Sequence, residues 1–287
     1  MSEIEVPFFD RETVRYVNDQ MLKSVSLLNA ANDALQKARE QLQAYLGISS
    51  RVTQRDEVIS HNGIEVFELG RESLNNRLDA SYHSAISREI TRYLRNEVGV
   101  KLVRLEDSGL AKDVILPGRF KRVYVGDEFG VPFIGGKEIL SLDPRTGKNL
   151  SLTSHGPRIK EQLKIKQNQV LITCSGTIGK VSIAPKHWEG WAASQHIIRI
   201  EPQNSDKAAL LYLWLSSPHG RNLIQQQTYG SVVNEIDSSH VKDILVPELP
   251  NTVTSKLAKL VLDANDMRTE AFQIEEKMKL IFDDKLL

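Results

Sequence analysis

A single cysteine, Cys174, in 287 residues leaves no partner for an internal disulfide and no cysteine set for a zinc site. No apolar run approaches the roughly 18 residues that a membrane-crossing helix needs. The acidic start, Met1-Ser2-Glu3-Ile4-Glu5, is not followed by the apolar stretch of a secretory signal. These absences lead to the expectation of a cytoplasmic protein. An excess of one charge is missing too: 37 Lys and Arg balance 37 Asp and Glu, which argues against a uniformly basic nucleic-acid binder. Wholesale disorder is excluded by 40% hydrophobic and 26% charged residues, an ordinary globular balance.

Neutrality conceals a polarised chain. Residues 101–200 hold 16 Lys and Arg against 9 Asp and Glu, whereas 1–100 hold 12 against 15 and 201–287 hold 9 against 13. A basic centre can present a local positive face to phosphates; solvated charge clustered by chance gives the same count.

From Arg11 to Leu46, Val14, Val17, Met21, Ser24, Leu28, Ala31, Leu35, Ala38, Leu42 and Tyr45 recur at spacings of three and four. This is a heptad seam with one polar interruption, Ser24. Asp10 is placed to cap the helix and Gly47 to stop it. At 1.5 Å per residue it would run roughly 50 Å. A second seam starts at Thr252: Leu257, Leu260, Ala264, Met267, Ala271, Ile274, Met278 and Ile281. Pro247 and Pro250 set its entry turn. Both helices carry Ala-Asn-Asp (Ala31-Asn32-Asp33 and Ala264-Asn265-Asp266) with an alanine seven positions after the first, Ala38 and Ala271. Two arrangements fit: an antiparallel coiled coil bracketing a central domain, or two separate helices packed on one core.

Between the helices the period shortens. Arg51 to Asn62 reads as a linker, and a helix is expected from about Ala80 to Glu97, ending before Gly99. Beyond Lys101 come β-rich runs at 123–125, 131–134, 170–173, 180–184 and 196–200, punctuated by glycine and proline. Helices are expected at 206–216 and 219–227. The fold class is therefore α+β: a mixed α/β domain flanked by two long helices, with divisions at 1–50, 51–250 and 251–287.

The most distinctive segment is Leu171-Ile172-Thr173-Cys174-Ser175-Gly176-Thr177-Ile178-Gly179-Lys180-Val181, a strand, glycine turn and strand. It mimics a nucleotide-binding P-loop, but that motif needs glycine where Cys174 stands and Ser or Thr where Val181 stands. The segment instead resembles the turn of target-recognition domains in specificity subunits of type I restriction-modification systems. Val131-Pro132-Phe133-Ile134 with Gly136 and Ile139 is similar to the family's early strand, and Trp191 to Ile200 to the strand after the turn. Tyr212 to Gly220, Gly230-Ser231-Val232-Val233 and Ile244-Leu245-Val246-Pro247 resemble its closing helix, loop and last strand. Arg77-Leu78-Asp79-Ala80 with Tyr82 is similar to its opening segment. The resemblance spans about 74–250, and the terminal helices match the family's spacers. Family members usually carry two recognition domains; this chain has room for one, so it resembles a half-length subunit.

That resemblance implies sequence-specific binding of double-stranded DNA on behalf of a methyltransferase subunit, with or without a translocating nuclease subunit. It also implies a bipartite target, and either a homodimer or a pairing with a second half-subunit. Motifs shared by proteins that read different targets cannot encode any one target, so base readout is expected from 112–128 and 143–164. The candidates there are Arg119, Lys121, Arg122, Arg145, Lys148, His155, Arg158 and Lys160; arginine can bind guanine through two hydrogen bonds in the major groove. Lys137, Ser175, Thr177 and Lys180 suit the sequence-neutral backbone, as do Gln195 and His196 unless the latter pair merely begins a core strand. Trp188, Trp191 and Trp214 are expected to fill cores.

Catalytic apparatus is not legible. The Asn/Asp-Pro-Pro-aromatic loop of amino-methyltransferases is missing, and Asp143-Pro144-Arg145 is only a turn. Glu275-Glu276-Lys277 mimics part of a nuclease triad but falls on the C-terminal heptad helix and reads as a solvated face. The seven histidines show no i, i+4 pair for a metal. The expectation is no catalytic residue, no cofactor and no metal. Two rivals are a decoy that binds the methyltransferase through its helices, and a helicase- or nuclease-type enzyme.

Overall fold

The computed structural model describes residues 9–48, 59–61, 64–75, 77–145, 147–230 and 234–286. The first seam forms α1, Arg11–Tyr45; Asp10 caps it by accepting from the Thr13 amide at 2.8 Å and its hydroxyl at 2.7 Å. The helix stops where Gly47 takes φ +61°, a left-handed conformation that favours glycine. The second seam forms α7, Asn251–Leu286. Phe9 meets Phe282, Lys23 pairs with Glu270, and Gln41 and Tyr45 share a groove with Thr252 and Leu257. Low numbers therefore face high ones, and the helices are an antiparallel coiled coil. Ala31, Ala38, Ala264 and Ala271 are completely buried, which lets the axes approach closely.

One row of the first seam is covered as far as Ala38, and Tyr45 at its end is exposed. Val17, Ser24, Ala31 and Ala38, seven residues apart, are buried, but Val14 and Met21 of the other row stay exposed. Leu35 and Leu42 of that second row are buried, because the lower part of α1 also packs on a further helix, α4, Ser205–Ser216. There Arg39 donates to the Tyr212 hydroxyl at 3.1 Å. The polar interruption is a bridge: buried Ser24 donates to Glu275 across the interface at 2.8 Å.

After α1 come β1, Ile59–His61, and β2, Ile64–Val66, an antiparallel pair. Of the expected linker, 51–62, residues 59–61 form β1 and the rest lie outside the described residues. α2 covers Ala85–Asn96, shorter than expected because 80–83 are turns. β3, Leu102–Arg104, leads to β4, Ala111–Ile115. Next are β5, Tyr124–Val125; β6, Gly130–Ile134; β7, Asn149–Ser151; and α3, Leu152–Arg158. The chain continues with β8, Val170–Thr173; β9, Val181–Ile183; β10, Ala192–Ala193; and β11, Ile197–Pro202. Following α4 are α5, Pro218–Gln226; α6, Ser238–Lys242; and β12, Leu245–Pro247, which pairs with β3.

Two four-stranded sheets result. One is antiparallel, ordered β4-β11-β8-β9; the other is ordered β10-β6-β7-β5, with β10 and β6 parallel. The first sheet packs on α4, whose residues 208–215 are all buried between sheet and α7. A helix apolar all round belongs in such a position. Trp188 and Trp214 are buried, as expected, and donate to the carbonyls of Leu142 and Leu245. The chain is thus α+β, a mixed-sheet domain carried by two paired helices. Among the described residues no helix is long and apolar enough to cross a membrane.

Beyond α4, α7 keeps contact with the domain. Asn265 donates to the Ala184 carbonyl, and His187 stacks on Phe272 with ring centroids 4.1 Å apart. Arg145 binds Asp143 through two nitrogens at 2.8 and 2.9 Å, reaches Glu276 on α7, and lies over the Phe272 ring. Burial pushes the His187 imidazole down to about 4, opposed by its bond to the Leu142 carbonyl and assisted by Arg268. Burial alone would raise Asp143, but hydrogen bonds from Arg145 and Lys279 hold it near 2.

Two outcomes follow from this packing. Leu42→Ala should lose about 2–5 kcal/mol in denaturant unfolding, whereas Leu22→Ala, at a 61% exposed position, should stay within about 0.5 kcal/mol. The folded His187 pKa lies below its unfolded value near 6.5, so its contribution is whole above about pH 6.5 and is lost as pH falls toward 4. Over that window the unfolded chain takes up a proton that the folded one refuses. Replacing the ring, as in His187→Phe, should remove on the order of 2–3 kcal/mol of the acid destabilisation between pH 7 and 4. Identical pH profiles for the two proteins would exclude this role.

Candidate nucleic-acid interface

The loop after β4, residues 116–123, is the hub on which several candidates converge. It carries Arg119, Lys121 and Arg122. From α3, His155 accepts from the Val123 amide at 3.2 Å and meets the Phe120 ring edge-on. Arg158, one turn further along α3, donates to the Gly118 carbonyl at 3.0 Å and lies over the same ring. From the turn before β11, Gln195 accepts from the Phe120 amide. Phe120 therefore holds two helix side chains and a turn to one loop. Arg122 lies over Phe133 and has a buried Nε with no hydrogen-bond partner among the described residues.

The glycine turn supplies the next wall. Gly176 and Gly179 adopt φ +70° and +84°, which confines these positions to glycine at low strain. Thr173 closes the turn: its amide donates to the Lys180 carbonyl, while its hydroxyl accepts from the Lys180 amide and donates to the Thr177 carbonyl. A side chain at Gly179 would abut Arg221 and Ile224 of α5, so this corner leans on the helix. At the other corner the Ser175 hydroxyl and His196 Nδ1 are 2.6 Å apart. Burial lowers the His196 pKa, with Arg122 and Arg119 adding to the effect. The imidazole is thus neutral at physiological pH and works as a hydrogen-bonding group.

Between these walls opens a small cavity of about 170 Å³, lined on the candidate side by Arg119, Ser175, Gln195 and His196. Cys174 lies beneath it, its thiol pushed up to about 12 by burial and by nearby Glu235. A thiol held in that form is not a nucleophile. Opposite are Tyr229 and Glu235, whose amides and carbonyls exchange two hydrogen bonds, at 3.0 and 2.8 Å. Residues 231–233 of the segment singled out at Gly230 lie outside the described residues.

The structure thus brings together Arg119, Arg122, His155, Arg158, Ser175, Gln195 and His196. Lys121 projects from the hub loop and is exposed, as are Lys148 before β7 and Lys160 just after α3. Thr177 and Lys180 lie on the glycine turn, and Lys137 in the loop after β6, where Gly136 abuts Thr173. Arg145 is elsewhere: it fastens its loop to α7, and the Glu276 expected on a solvated face is its partner. Glu235 and Tyr229 were not legible as site residues, because their segment matched shared scaffold. Among the described residues no group of three His, Cys, Asp or Glu could hold a metal ion.

Residues 126–253 match the family model described as "Type I restriction modification DNA specificity domain". No curated protein matches the chain. Among solved structures, the HsdS subunit from Thermoanaerobacter tengcongensis is 14% identical over 96% of this chain and 57% of its own, with a TM-score of 0.43. A chain from work on complex assembly and conformational transition of the type I R-M system is also 14% identical, over 96% of this chain and 58% of its own, at 0.44. The type I S subunit from M. genitalium is 13% identical over 99% of this chain and 62% of its own, at 0.43. The chain therefore spans roughly three-fifths of the length of each. With β6 to β12 and the glycine turn inside the matched span, the chain carries a type I restriction modification DNA specificity domain.

Proposed function

We propose that the chain is a half-length specificity subunit that reads double-stranded DNA and leaves catalysis to a methyltransferase partner. The observation that carries this is the convergence of Arg119, Arg122, Arg158, Gln195 and His196, from three separate segments, around one hub loop. Cations and amides on one face match the two needs of a DNA reader: phosphate attraction for affinity and directed hydrogen bonds for base identity. The domain occupies about 51–250 and the helices about 1–50 and 251–287, so the paired helices form a stalk. Exposed Val14, Met21, Leu22 and Val25 leave an apolar stripe on α1, which we assign to partner helices. Two copies joined through their stalks would read a bipartite, interrupted palindrome, with stalk length setting the gap. Docking of the methyltransferase on the same stalk would bring the modifying subunit beside the duplex.

Two measurements test this reading. In gel shifts over a salt series, the affinity for duplex DNA should fall steeply, with a log–log slope of several units. Lys180→Ala should flatten that slope by about 1, and Arg145→Ala should leave it unchanged. An affinity indifferent to salt would exclude phosphate-driven binding. Co-expressed with its partner methyltransferase, the chain should direct adenine methylation to one interrupted palindrome, seen by sequencing modified bases. Methylation that is scattered, or the same without the chain, overturns the assignment.

A further inference from the structure

A carboxylate stands in the middle of the cationic face. Glu235 Oε1 accepts from Arg119 Nη2 at 3.3 Å, the one hydrogen bond of its side chain among the described residues. The two come from different segments, Arg119 from the loop after β4 and Glu235 from the strand-like run before α6. Their side chains are 79% and 32% exposed at the mouth of the 170 Å³ cavity.

Stability does not account for the pair. An ion pair with so exposed a partner is screened by water and adds little to folding. The turn is closed by the Glu235 backbone and by the Ile236 amide, which donates to Cys174, and it needs no carboxylate. Phosphate attraction does not account for Glu235 either, because a negative charge on a face meant for a polyanion repels it. The backbone bonds fix the position from which the carboxylate projects. Tyr229 and Glu235 are locked to each other, and Tyr229 stacks on His240 at 4.8 Å, itself held by Asp237 at 2.7 Å. An acceptor carried on an anchored backbone beside an exposed donor fork is a hydrogen-bonding pattern with a counterpart on DNA.

Resting on the assignment of this face to DNA, we propose that Arg119 and Glu235 together read one G·C base pair in the major groove. The Arg119 fork donates to guanine O6 and N7, and Glu235 accepts from the N4 amino group of the paired cytosine. Guanine O6 and cytosine N4 are neighbours on the same edge, so adjacent donor and acceptor side chains meet adjacent acceptor and donor atoms. In the free protein the two side chains already face each other, 3.3 Å apart. On an A·T pair the pattern fails, because thymine offers O4 where cytosine offers its amino group, which sets two acceptors against each other.

The test is selection of bound duplexes from a pool of random double-stranded oligonucleotides, using the full chain, Arg119→Ala, Glu235→Ala and Glu235→Gln. Thermal unfolding of each variant checks that it folds; Arg119→Ala alters a largely exposed side chain and provides a variant safe from folding failure. The wild-type chain should select a motif containing one G·C position preferred about tenfold or more. Arg119→Ala and Glu235→Ala should relax that same position to threefold or less, leaving the remaining positions intact. Glu235→Gln should narrow the G·C preference less than Glu235→Ala does, since its amide oxygen can still accept from cytosine N4 while its amino group can also donate to thymine O4. A wild-type motif that both alanine variants preserve, or relax at two different positions, overturns the inference and leaves the DNA-reading assignment standing. Failure of the wild-type chain to select any motif overturns both.

Discussion

Helix α7 packs on two things at once, and that double contact constrains the rest of the molecule. Along one side it buries the heptad row of α1, where paired alanines permit close approach and Ser24 bonds to Glu275. Along the other it receives α4, then the Phe272 and Glu276 contacts from His187 and Arg145. A helix engaged on both sides cannot rotate about its axis without breaking one set. The orientation of the mixed-sheet domain on the stalk is therefore fixed by packing and by the Arg145 clamp.

That constraint reaches the candidate face through the core shared by the two sheets. Trp188, Trp191, Leu171, Ile197 and Phe272 belong to one apolar cluster, so α7 and the strands that lead into the glycine turn and the 194–196 turn share a foundation. Loops anchored this way differ from free surface loops: Phe120, His155, Arg158 and Gln195 bind each other and not only water. Burial also keeps nearby titratable groups in fixed states, with His196 neutral and Cys174 protonated. Neither of these two groups therefore adds charge to the face at physiological pH.

Arg145 and Glu235 show why motif reading reaches elements more readily than the surroundings of individual side chains. Arg145 sits in a stretch that matches no shared motif and carries a guanidinium, the two attributes sought in a base contact. Its occupation is decided by Asp143 two residues away and by Glu276 over a hundred residues away. Glu235 has the converse history: it adjoins a shared motif and has the wrong sign for DNA, yet it stands at the cavity mouth opposite Arg119.

The sequence by itself determined the two long helices, the α+β class, the positions of β5, β6, β8, β9, β11 and β12, and the burial of the tryptophans. These depend on local periodicity, capping and side-chain volume, which are written in adjacent residues. It placed the boundary of α2 less well and left β1, β2, β3, β4, β7, β10, α3 and α6 unseen, since strands of two to five residues and helices of five and seven carry too few residues for a period. Only the tertiary structure decided which row of the α1 seam is covered, which cations gather on the 116–123 loop, and which one is withdrawn to clamp the stalk. Those outcomes hinge on contacts between segments tens to hundreds of residues apart, and the free energy of such a contact is not contained in either segment alone.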